Sequence, residues 1–274
     1  MTDLRSIGPV MLIGAGKMGM ALAEGWLDAG LPVSNLILVD PVPGPDAKAL
    51  ADEYGLVIHP EALGLEPNVL VLAVKPQIIN DVMAGLSPVV GSHTLVLSIA
   101  AGISIARLAA GTGADRIVRS MPNTPAQIGK GVTGVVAGPG VDAAGKAAAE
   151  ALLSAAGLVV WFNNEGDLDA VTAVSGSGPA YVFNLVEALA AAGVAQGLPE
   201  HVAMQLARQT VIGSAALMEA DAATPASVLR QNVTSPKGTT AAALDVLMAD
   251  DGLTPLMERA VDAARKRSEE LGRG

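Results

Sequence analysis

The chain has 274 residues, a formal net charge of −10 at pH 7 and no cysteine. A chain of this length usually forms two domains, and an acidic chain without a basic patch is not expected to bind nucleic acid. The absence of cysteine excludes disulfides and thiolate metal sites, and it favours a reducing, cytoplasmic compartment.

Short runs of Val, Ile and Leu alternate with helical stretches from Pro9 to about Trp161, after a start that carries Asp3 instead of a secretory apolar segment. Runs that are apolar throughout are typical of strands buried on both faces of a parallel sheet. We therefore expect no export signal and a Rossmann-type, doubly wound α/β domain over residues 1–164. The predicted strands are Val10–Ile13, Leu36–Val39, Val57–Ile58, Val69–Val74, Leu95–Ile99, Ile117–Arg119, Val132–Val136 and Leu158–Trp161.

The first predicted strand runs directly into a G-x-G-x-x-G turn, Gly14-Ala15-Gly16-Lys17-Met18-Gly19, which opens a predicted helix. Gly14 permits the tight turn, Gly16 lets the backbone approach a pyrophosphate, and Gly19 allows the helix to pack closely on the strand. Free N–H groups at the start of the helix, around Lys17 and Met18, would face the phosphates. The turn predicts dinucleotide binding, with a purely structural turn as the alternative.

Asp40 ends the second predicted strand, 24 residues after Gly16, where a carboxylate can accept hydrogen bonds from the adenosine ribose. The following segment, Pro41–Asp46, contains no Arg or Lys that would receive a 2′-phosphate. The cofactor is therefore NADPH or NADH, and the sequence leans mildly toward NADH, although Lys17 or Lys48 could still reach a phosphate. A simple turn-forming role ahead of Pro41 is the alternative for Asp40.

Three further predicted strands end in loops of small residues and prolines, where ligands of open α/β sheets bind. Such narrow loops can lie against a nicotinamide ring, and Asn123 could bond the carboxamide of that ring or the substrate. For Lys75, the alternative to cofactor binding is a solvated surface cation. The cofactor-binding candidates at these strand ends are Ala73, Val74, Lys75, Pro76, Ala100 and Asn123.

The three histidines, His59, His93 and His201, fall in loops or at a helix start, away from these strand ends. A structural or exposed role is therefore expected for them rather than catalysis. Without cysteine or clustered His, Asp and Glu residues, no metal site is expected.

After about Asn163 the β-branched runs disappear, and residues 165–274 predict an all-helical domain. The stretch Tyr181–Leu198 is apolar almost all round but carries polar residues, which is typical of a buried helix rather than a membrane span. A small helical domain can rarely bury such a helix alone, so the pattern predicts a homodimer. The predicted helices are Pro179–Gln196, Pro199–Glu219, Pro225–Asn232, Thr239–Asp250 and Pro255–Leu271.

Two segments of this helical part carry a family resemblance together with the strand-end loops. They are Ala173-Val174-Ser175-Gly176-Ser177-Gly178-Pro179-Ala180-Tyr181-Val182 and Val233-Thr234-Ser235-Pro236-Lys237-Gly238-Thr239-Thr240. Over essentially the whole chain, the sequence resembles the pyrroline-5-carboxylate reductase family. The resemblance implies NAD(P)H-dependent reduction of 1-pyrroline-5-carboxylate to L-proline, the last step of proline biosynthesis. It also implies an obligate dimer, often assembled into rings, in which each active site uses both chains.

The same resemblance implies that Ser235, Gly238, Thr239 and Thr240 cradle the substrate. A Ser-Pro-x-Gly-Thr-Thr loop that opens a helix presents free N–H groups and hydroxyls, which suit a carboxylate; an ordinary helix cap is the alternative. The chain departs from the family at Lys237, where Gly is common, and a side chain there could crowd or help a carboxylate.

The expected mechanism is hydride transfer from the nicotinamide C4 to the C=N carbon of the cyclic imine. Thr240 would hydrogen-bond the ring nitrogen, and Ser235 with the Gly238 and Thr239 N–H groups would hold the carboxylate. The imine can be protonated from water, which suits a chain with no evident catalytic acid.

The sequence leaves two alternative functions open. A 3-hydroxyacid dehydrogenase has the same architecture but places a Lys on the first long helix of its second domain, and no Lys or Arg lies between Lys146 and Arg208. A nucleotide-sensing module would also use the Gly-rich turn, but it leaves the Ser235–Thr240 loop unexplained.

Overall fold

The computed structural model describes residues 3–62, 64 and 66–272, and eight strands of this part form one sheet. They are β1 (Val10–Ile13), β2 (Leu36–Val39), β3 (Ile58–His59), β4 (Val69–Leu72), β5 (Leu95–Ser98), β6 (Ile117–Met121), β7 (Gly131–Ala137) and β8 (Gly157–Trp161). The order across the sheet is β3-β2-β1-β4-β5-β6-β7-β8. The predicted strands are confirmed to within two residues at each end, and so is the doubly wound α/β class.

The pairing of β7 with β6 is antiparallel, whereas all other neighbouring strands pair in parallel. The sequence did not reveal this reversal, because apolar runs look alike in both directions. The edge strand β8 also differs from the others, since Leu158 and Val160 are exposed on one of its faces.

The helices of the described residues follow the predicted pattern. They are α1 (Lys17–Asp28), α2 (Pro45–Tyr54), α3 (Ile79–Ala84), α4 (Ile105–Thr112), α5 (Ala143–Ser154), α6 (Asp167–Val171), α7 (Gly178–Ala195), α8 (Glu200–Ala220), α9 (Ala226–Asn232), α10 (Thr239–Leu247) and α11 (Leu253–Gly272). The five predicted C-terminal helices are present, whereas α6 and the π-helical turn Thr172–Gly176 that follows it were not predicted.

The central strands are apolar throughout because each contributes side chains to two cores, one on each face of the sheet. In β1, Val10 and Leu12 belong to one core, whereas Met11 and Ile13 belong to the other. All four are at most 5% exposed. Burial of such side chains contributes about 1.5–3 kcal/mol each, so the two cores stabilise the sheet. The parallel pairing of β1 to β6 brings the carboxyl ends of these six strands to one edge.

Two compact units divide the chain. One unit runs to Ser177 and includes the chain from Ala264 onward, and the other is Gly178–Ala263. The expected domain division lies earlier, between residues 164 and 165, and as a statement about domains it stays a prediction. The helical turns just after residue 164 and the end of α11 pack in the first unit, where the Ser268 hydroxyl donates to Asp169 Oδ1 at 2.6 Å.

The second unit has few buried side chains of its own. Helices α7 and α8 approach closely, since a Cβ at Gly193 would lie 3.1 Å from the Ala203 Cβ. Only Ala190, Ala203 and Ala207 of these two helices are buried, however. By length and composition alone, Asp167–Ala195 could span a membrane, with a mean hydropathy of 1.3 over an 18-residue window of which 6% is buried. Much apolar surface of α7 is therefore uncovered within one chain.

Candidate active site

Each glycine of the Gly-rich turn has a different structural role. Gly14 has a φ of +98°, and a Cβ there would lie 2.7 Å from the Ala73 carbonyl oxygen. A Cβ at Gly19 would collide with the Gly14 carbonyl oxygen, so the helix could not pack as closely on the turn. Gly16, in contrast, has open space where its Cβ would be. The open side at Gly16 is where a ligand can approach the backbone.

Helix α1 begins without a side-chain cap, since Gly16 is its N-cap residue. The first intrahelical bond is from the Met20 N–H to the Gly16 carbonyl at 2.8 Å. The N–H groups of Lys17, Met18 and Gly19 precede that bond and point out of the first turn. Such a helix end attracts an anion through its free donors and its dipole, so the turn fits a pyrophosphate.

Asp40 is bonded directly to this turn. Its Oδ2 accepts from the Ala15 N–H at 2.8 Å, and its Oδ1 accepts from the Val42 N–H at 2.8 Å. The Val42 bond is the turn-forming role considered from the sequence, and the Ala15 bond links Asp40 to the Gly-rich turn. A carboxylate has about four acceptor positions, so Asp40 can still accept from ribose hydroxyls.

The residues after β4 lie beside the same turn. Ala73 donates its N–H to the Ile13 carbonyl at 2.8 Å, and Val74 Cγ1 would contact a Cβ at Gly14 at 2.9 Å. Lys75 is exposed and precedes the 3-10 turn Pro76–Ile78. The sheet thus brings the predicted residues 73–76 next to the Gly-rich turn. Ala100, in the loop after β5, is 3% exposed and donates its N–H to the Ser98 hydroxyl at 3.2 Å.

Asn123 has a structural role that the sequence did not predict. Its side chain is buried, its Oδ1 accepts from the Val132 N–H at 2.9 Å, and its Nδ2 donates to the Ser175 carbonyl at 3.2 Å. Asn123 therefore connects the loop after β6 to β7 and to the π-helical turn. One N–H and one lone pair of the amide remain for a ligand.

A partly buried ion pair, also missed from the sequence, lies next to this loop. Arg119 Nη1 donates to Glu165 Oε1 at 2.8 Å, and the same oxygen accepts from the Ile105 N–H at 2.7 Å. Glu165 thus holds β6 and the start of α4 together. An Arg within a mostly apolar strand was the only signal in the sequence.

The loop Ser235–Thr240 lies in the second unit and begins with a β-turn. The Gly238 N–H donates to the Ser235 carbonyl at 3.0 Å, and Lys237 has a φ of +61°. Because Pro236 fixes a negative φ at the second position, a positive φ at the third makes this a type II turn. Gly238 is then the N-cap residue of α10 and forms no side-chain cap.

No side chain caps this helix, and an ordinary helix cap by the Gly238 backbone stays the alternative to a substrate loop. The first intrahelical bond of α10 is from the Ala242 N–H to the Gly238 carbonyl at 3.2 Å, which leaves the Thr239 and Thr240 N–H groups ahead of it. Ser235 and Thr239 are exposed, and Thr240 is half-buried. Together with the Ala241 N–H, the loop thus offers three N–H donors and three hydroxyls, a set of groups that suits a carboxylate.

Metal ligands and histidines do not gather near either loop in the part of the chain that the structure describes. No group of three His, Asp or Glu residues there could hold a metal ion. His59 ends β3, and His93 Nδ1 lies 3.8 Å from Glu66 Oε2. His201 lies in the first turn of α8.

Two family models match the chain. The model described as pyrroline-5-carboxylate reductase dimerisation matches residues 165–271, and the model described as NADP oxidoreductase coenzyme F420-dependent matches residues 9–102. The pyrroline-5-carboxylate reductase of Pseudomonas aeruginosa is 42% identical over 266 residues, which cover 96% of both chains.

Solved structures of similar proteins cover nearly the whole chain. A pyrroline-5-carboxylate reductase from Coxiella burnetii matches with a TM-score of 0.89 and 34% identity, over 97% of this chain and 99% of the other. Plasmodium falciparum pyrroline carboxylate reductase with NADP bound matches with a TM-score of 0.80 and 30% identity, over 96% and 98%. The chain belongs to the pyrroline-5-carboxylate reductase family.

Proposed function

We propose that this protein reduces 1-pyrroline-5-carboxylate to L-proline, with a reduced nicotinamide dinucleotide as the hydride donor. The observation that carries the proposal is the 42% identity to the Pseudomonas aeruginosa reductase over 96% of both chains. The two loops described above supply the chemistry: one is suited to a pyrophosphate and the other to a carboxylate. The protein is an oxidoreductase that acts on the CH–NH group of its product.

The cofactor would be held by backbone groups more than by charge. The N–H groups at the start of α1 would bind the pyrophosphate, Asp40 the ribose, and the loops after β4, β5 and β6 the nicotinamide end. The proposed cofactor-binding residues are Gly14, Gly16, Lys17, Met18, Gly19, Asp40, Ala73, Val74, Lys75, Pro76, Ala100 and Asn123.

The cofactor would supply the hydride, which adds to the carbon of the C=N bond while the ring nitrogen carries a proton taken from water. Ser235 and the N–H groups of Thr239 and Thr240 would bind the carboxylate of the substrate. The Gly238 N–H, which the sequence assigned to the same role, is bonded to the Ser235 carbonyl in the turn. Thr240 would hydrogen-bond the ring nitrogen and so orient the C=N bond. Because this chain needs to supply no strong acid, most of the rate acceleration would come from positioning.

We further propose that NADH is preferred over NADPH. Asp40 is bonded to the Ala15 N–H, so its negative charge lies at the Gly-rich turn where the adenosine ribose would bind. A 2′-phosphate would meet this charge, and the segment Pro41–Asp46 offers no Arg or Lys to offset it. The Plasmodium falciparum structure contains NADP, so the preference is a property to be measured in this chain.

The protein forms homo-oligomers, as its dimerisation region requires. We propose a dimer in which the second unit of each chain covers the exposed apolar surface of the other, and a further ring of dimers as its higher assembly. This partner, rather than a membrane, would cover α7. The proposed location is the cytoplasm, and no nucleic-acid partner is proposed for a chain with a net charge of −10.

The test is an assay of 1-pyrroline-5-carboxylate reduction, followed by loss of the reduced-nicotinamide absorbance, with NADH and NADPH in parallel. We expect turnover with both cofactors and a higher kcat/KM with NADH. A folded dimer that binds nucleotide but reduces nothing would refute the proline assignment. A higher kcat/KM with NADPH would refute the role given to Asp40.

A further inference from the structure

Lys237 has an unusual backbone conformation. It occupies the third position of the Ser235–Gly238 turn with a φ of +61°, and it is the only non-glycine residue with a positive φ in the described part of the chain. This position of a type II turn normally takes Gly, because a Cβ is strained there. Strained non-glycine residues persist where the side chain has a use, and they cluster at ligand sites.

Lys237 also has an unusual charge environment. The unit 178–263 contains nine acidic residues and four basic ones, namely Arg208, Arg230, Lys237 and Arg259, so its net charge is −5. Lys237 is the only lysine of that unit, and its side chain is exposed. Within residues 3–62, 64 and 66–272, no carboxylate forms a salt bridge with it. The ammonium group is therefore available to a ligand.

We propose that Lys237 is a substrate-recognition residue, whose ammonium group binds the carboxylate of the cyclic imine. This inference rests on the proposed function and adds to it a residue for which the family commonly has Gly. The ends of a β-turn lie less than about 7 Å apart, so a lysine side chain on the turn can reach a ligand held by Ser235. In an acidic unit, a cation at this point also attracts an anionic substrate over longer distances.

The charge of Lys237 and the backbone strain at its position can be separated by substitution. Lys237→Gln removes the charge and keeps the strain, Lys237→Gly removes both, and Lys237→Arg keeps both. If the ammonium binds the carboxylate, Gln and Gly should raise KM for 1-pyrroline-5-carboxylate about three- to tenfold, as loss of a charge-assisted contact does. The Arg variant should stay within about twofold of the wild type, and kcat should change little in all three.

The experiment measures KM and kcat of the purified oligomeric enzyme with saturating cofactor, at low and high salt, with 1-pyrroline-5-carboxylate and with 1-pyrroline, which lacks the carboxylate. We expect the KM increase only with the carboxylate substrate, and a smaller increase at high salt because salt screens the charge. Arg230→Gln, which removes a charge from the same unit, is the control and should change KM less than twofold.

Each outcome is informative. An unchanged or lower KM in both Lys237→Gly and Lys237→Gln, beside an active wild type, would overturn the role of Lys237 and leave the proline assignment intact. Equal KM increases with both substrates, or in the Arg230→Gln control, would also overturn it. No turnover by the wild type would overturn both proposals.

Discussion

The side chain of Asp40 has a structural role at the Gly-rich turn and a proposed selective role toward the cofactor, and substitution can separate them. Asp40→Asn keeps the shape but removes the charge that would repel a 2′-phosphate. We expect the ratio of kcat/KM with NADPH to that with NADH to rise about fivefold or more, which corresponds to roughly 1 kcal/mol. We also expect KM to rise for both cofactors. In the wild type the Ala15 and Val42 N–H groups bond different oxygens of the Asp40 carboxylate, whereas the asparagine amide has only one oxygen to accept from them.

Asp52→Asn is the matched control for this measurement. Asp52 is an exposed residue of α2, so its substitution makes the same change in net charge without touching the Gly-rich turn. Its cofactor ratio should equal that of the wild type. If Asp40→Asn left the ratio unchanged as well, the ribose role of Asp40 would be wrong and only the structural role would remain.

Thr240 provides the residue-scale test of the mechanism. Thr240→Ala removes the hydroxyl proposed to orient the ring nitrogen, and kcat/KM should fall tenfold or more, about 1.4 kcal/mol of transition-state stabilisation. Thr240→Ser keeps a hydroxyl at the same atom and should recover most of the activity. Steady-state kinetics with both variants, beside a Tm for each, would measure this. Wild-type kcat/KM in the Ala variant would remove Thr240 from the mechanism.

At single positions, a sequence predicts backbone requirements better than side-chain partners. Gly14 and Gly19 were predicted from spacing, and the structure gives each a steric reason. The bonds of Asn123 to Val132 and Ser175 could not be predicted, because they join residues 9 and 52 positions apart whose proximity depends on the folded sheet. Lys237 lies between these cases: the departure from Gly was visible, whereas its positive φ was not.

At the scale of elements, the boundary of α5 depends on one carboxylate. Asp142 is the N-cap residue and accepts from the Gly145 N–H at 2.7 Å, and Arg116 Nη2 donates to the same oxygen at 2.7 Å. The Gly145 N–H, followed by Arg116, holds the pKa of Asp142 below its ordinary value of 3.8. A lowered pKa means that the ionised form stabilises the fold above that value and that this stability is lost as the pH falls through the folded pKa.

We therefore expect Asp142→Ala to lower the Tm by a nearly constant amount between about pH 5 and pH 8, with the difference from the wild type narrowing only below pH 3.8. Asp142→Asn keeps an acceptor for the Gly145 N–H but loses the charge, so its Tm should lie between those of Asp142→Ala and the wild type. Thermal unfolding of the three proteins, followed by circular dichroism from below pH 3.8 up to about pH 8, would test this prediction. A difference that grew as the pH fell would contradict the assigned role of the cap.

Elements were more predictable than their arrangement. The β strands were evident as apolar runs because the central strands are buried on both faces. In Val10–Ile13, for example, all four residues are buried and alternate between the two cores. The direction of β7 could not be read, since strand direction is decided by the length and path of a connection and not by apolarity. The short helix α6 and its π-helical turn were also missed, because five-residue elements are too short to show a period.

At the scale of the whole molecule, the exposed apolar side chains of the second unit require a partner. On α7 alone, Val182, Phe183, Leu185 and Leu189 are 44%, 65%, 51% and 43% exposed. A helix with this much apolar surface would be unstable in water. Packing against the same helices of a second chain would stabilise it by about 25 cal/mol per Å² of apolar surface buried. We expect light scattering at micromolar concentration to give at least about 55 kDa, twice the 27.4 kDa of one chain.

A charge placed in that surface should separate the chains. Val182→Glu would bury an unpaired carboxylate in the proposed interface at a cost of several kcal/mol, so the dimer should dissociate or weaken strongly and lose activity with it. Val57→Glu makes the same change at a valine that is 66% exposed in the first unit, and it should leave both mass and activity unchanged. Light scattering and the reductase assay on both variants would decide. A folded, fully active Val182→Glu monomer would show that each chain completes its own active site. The sharing of sites between chains that the family resemblance implies would then be wrong.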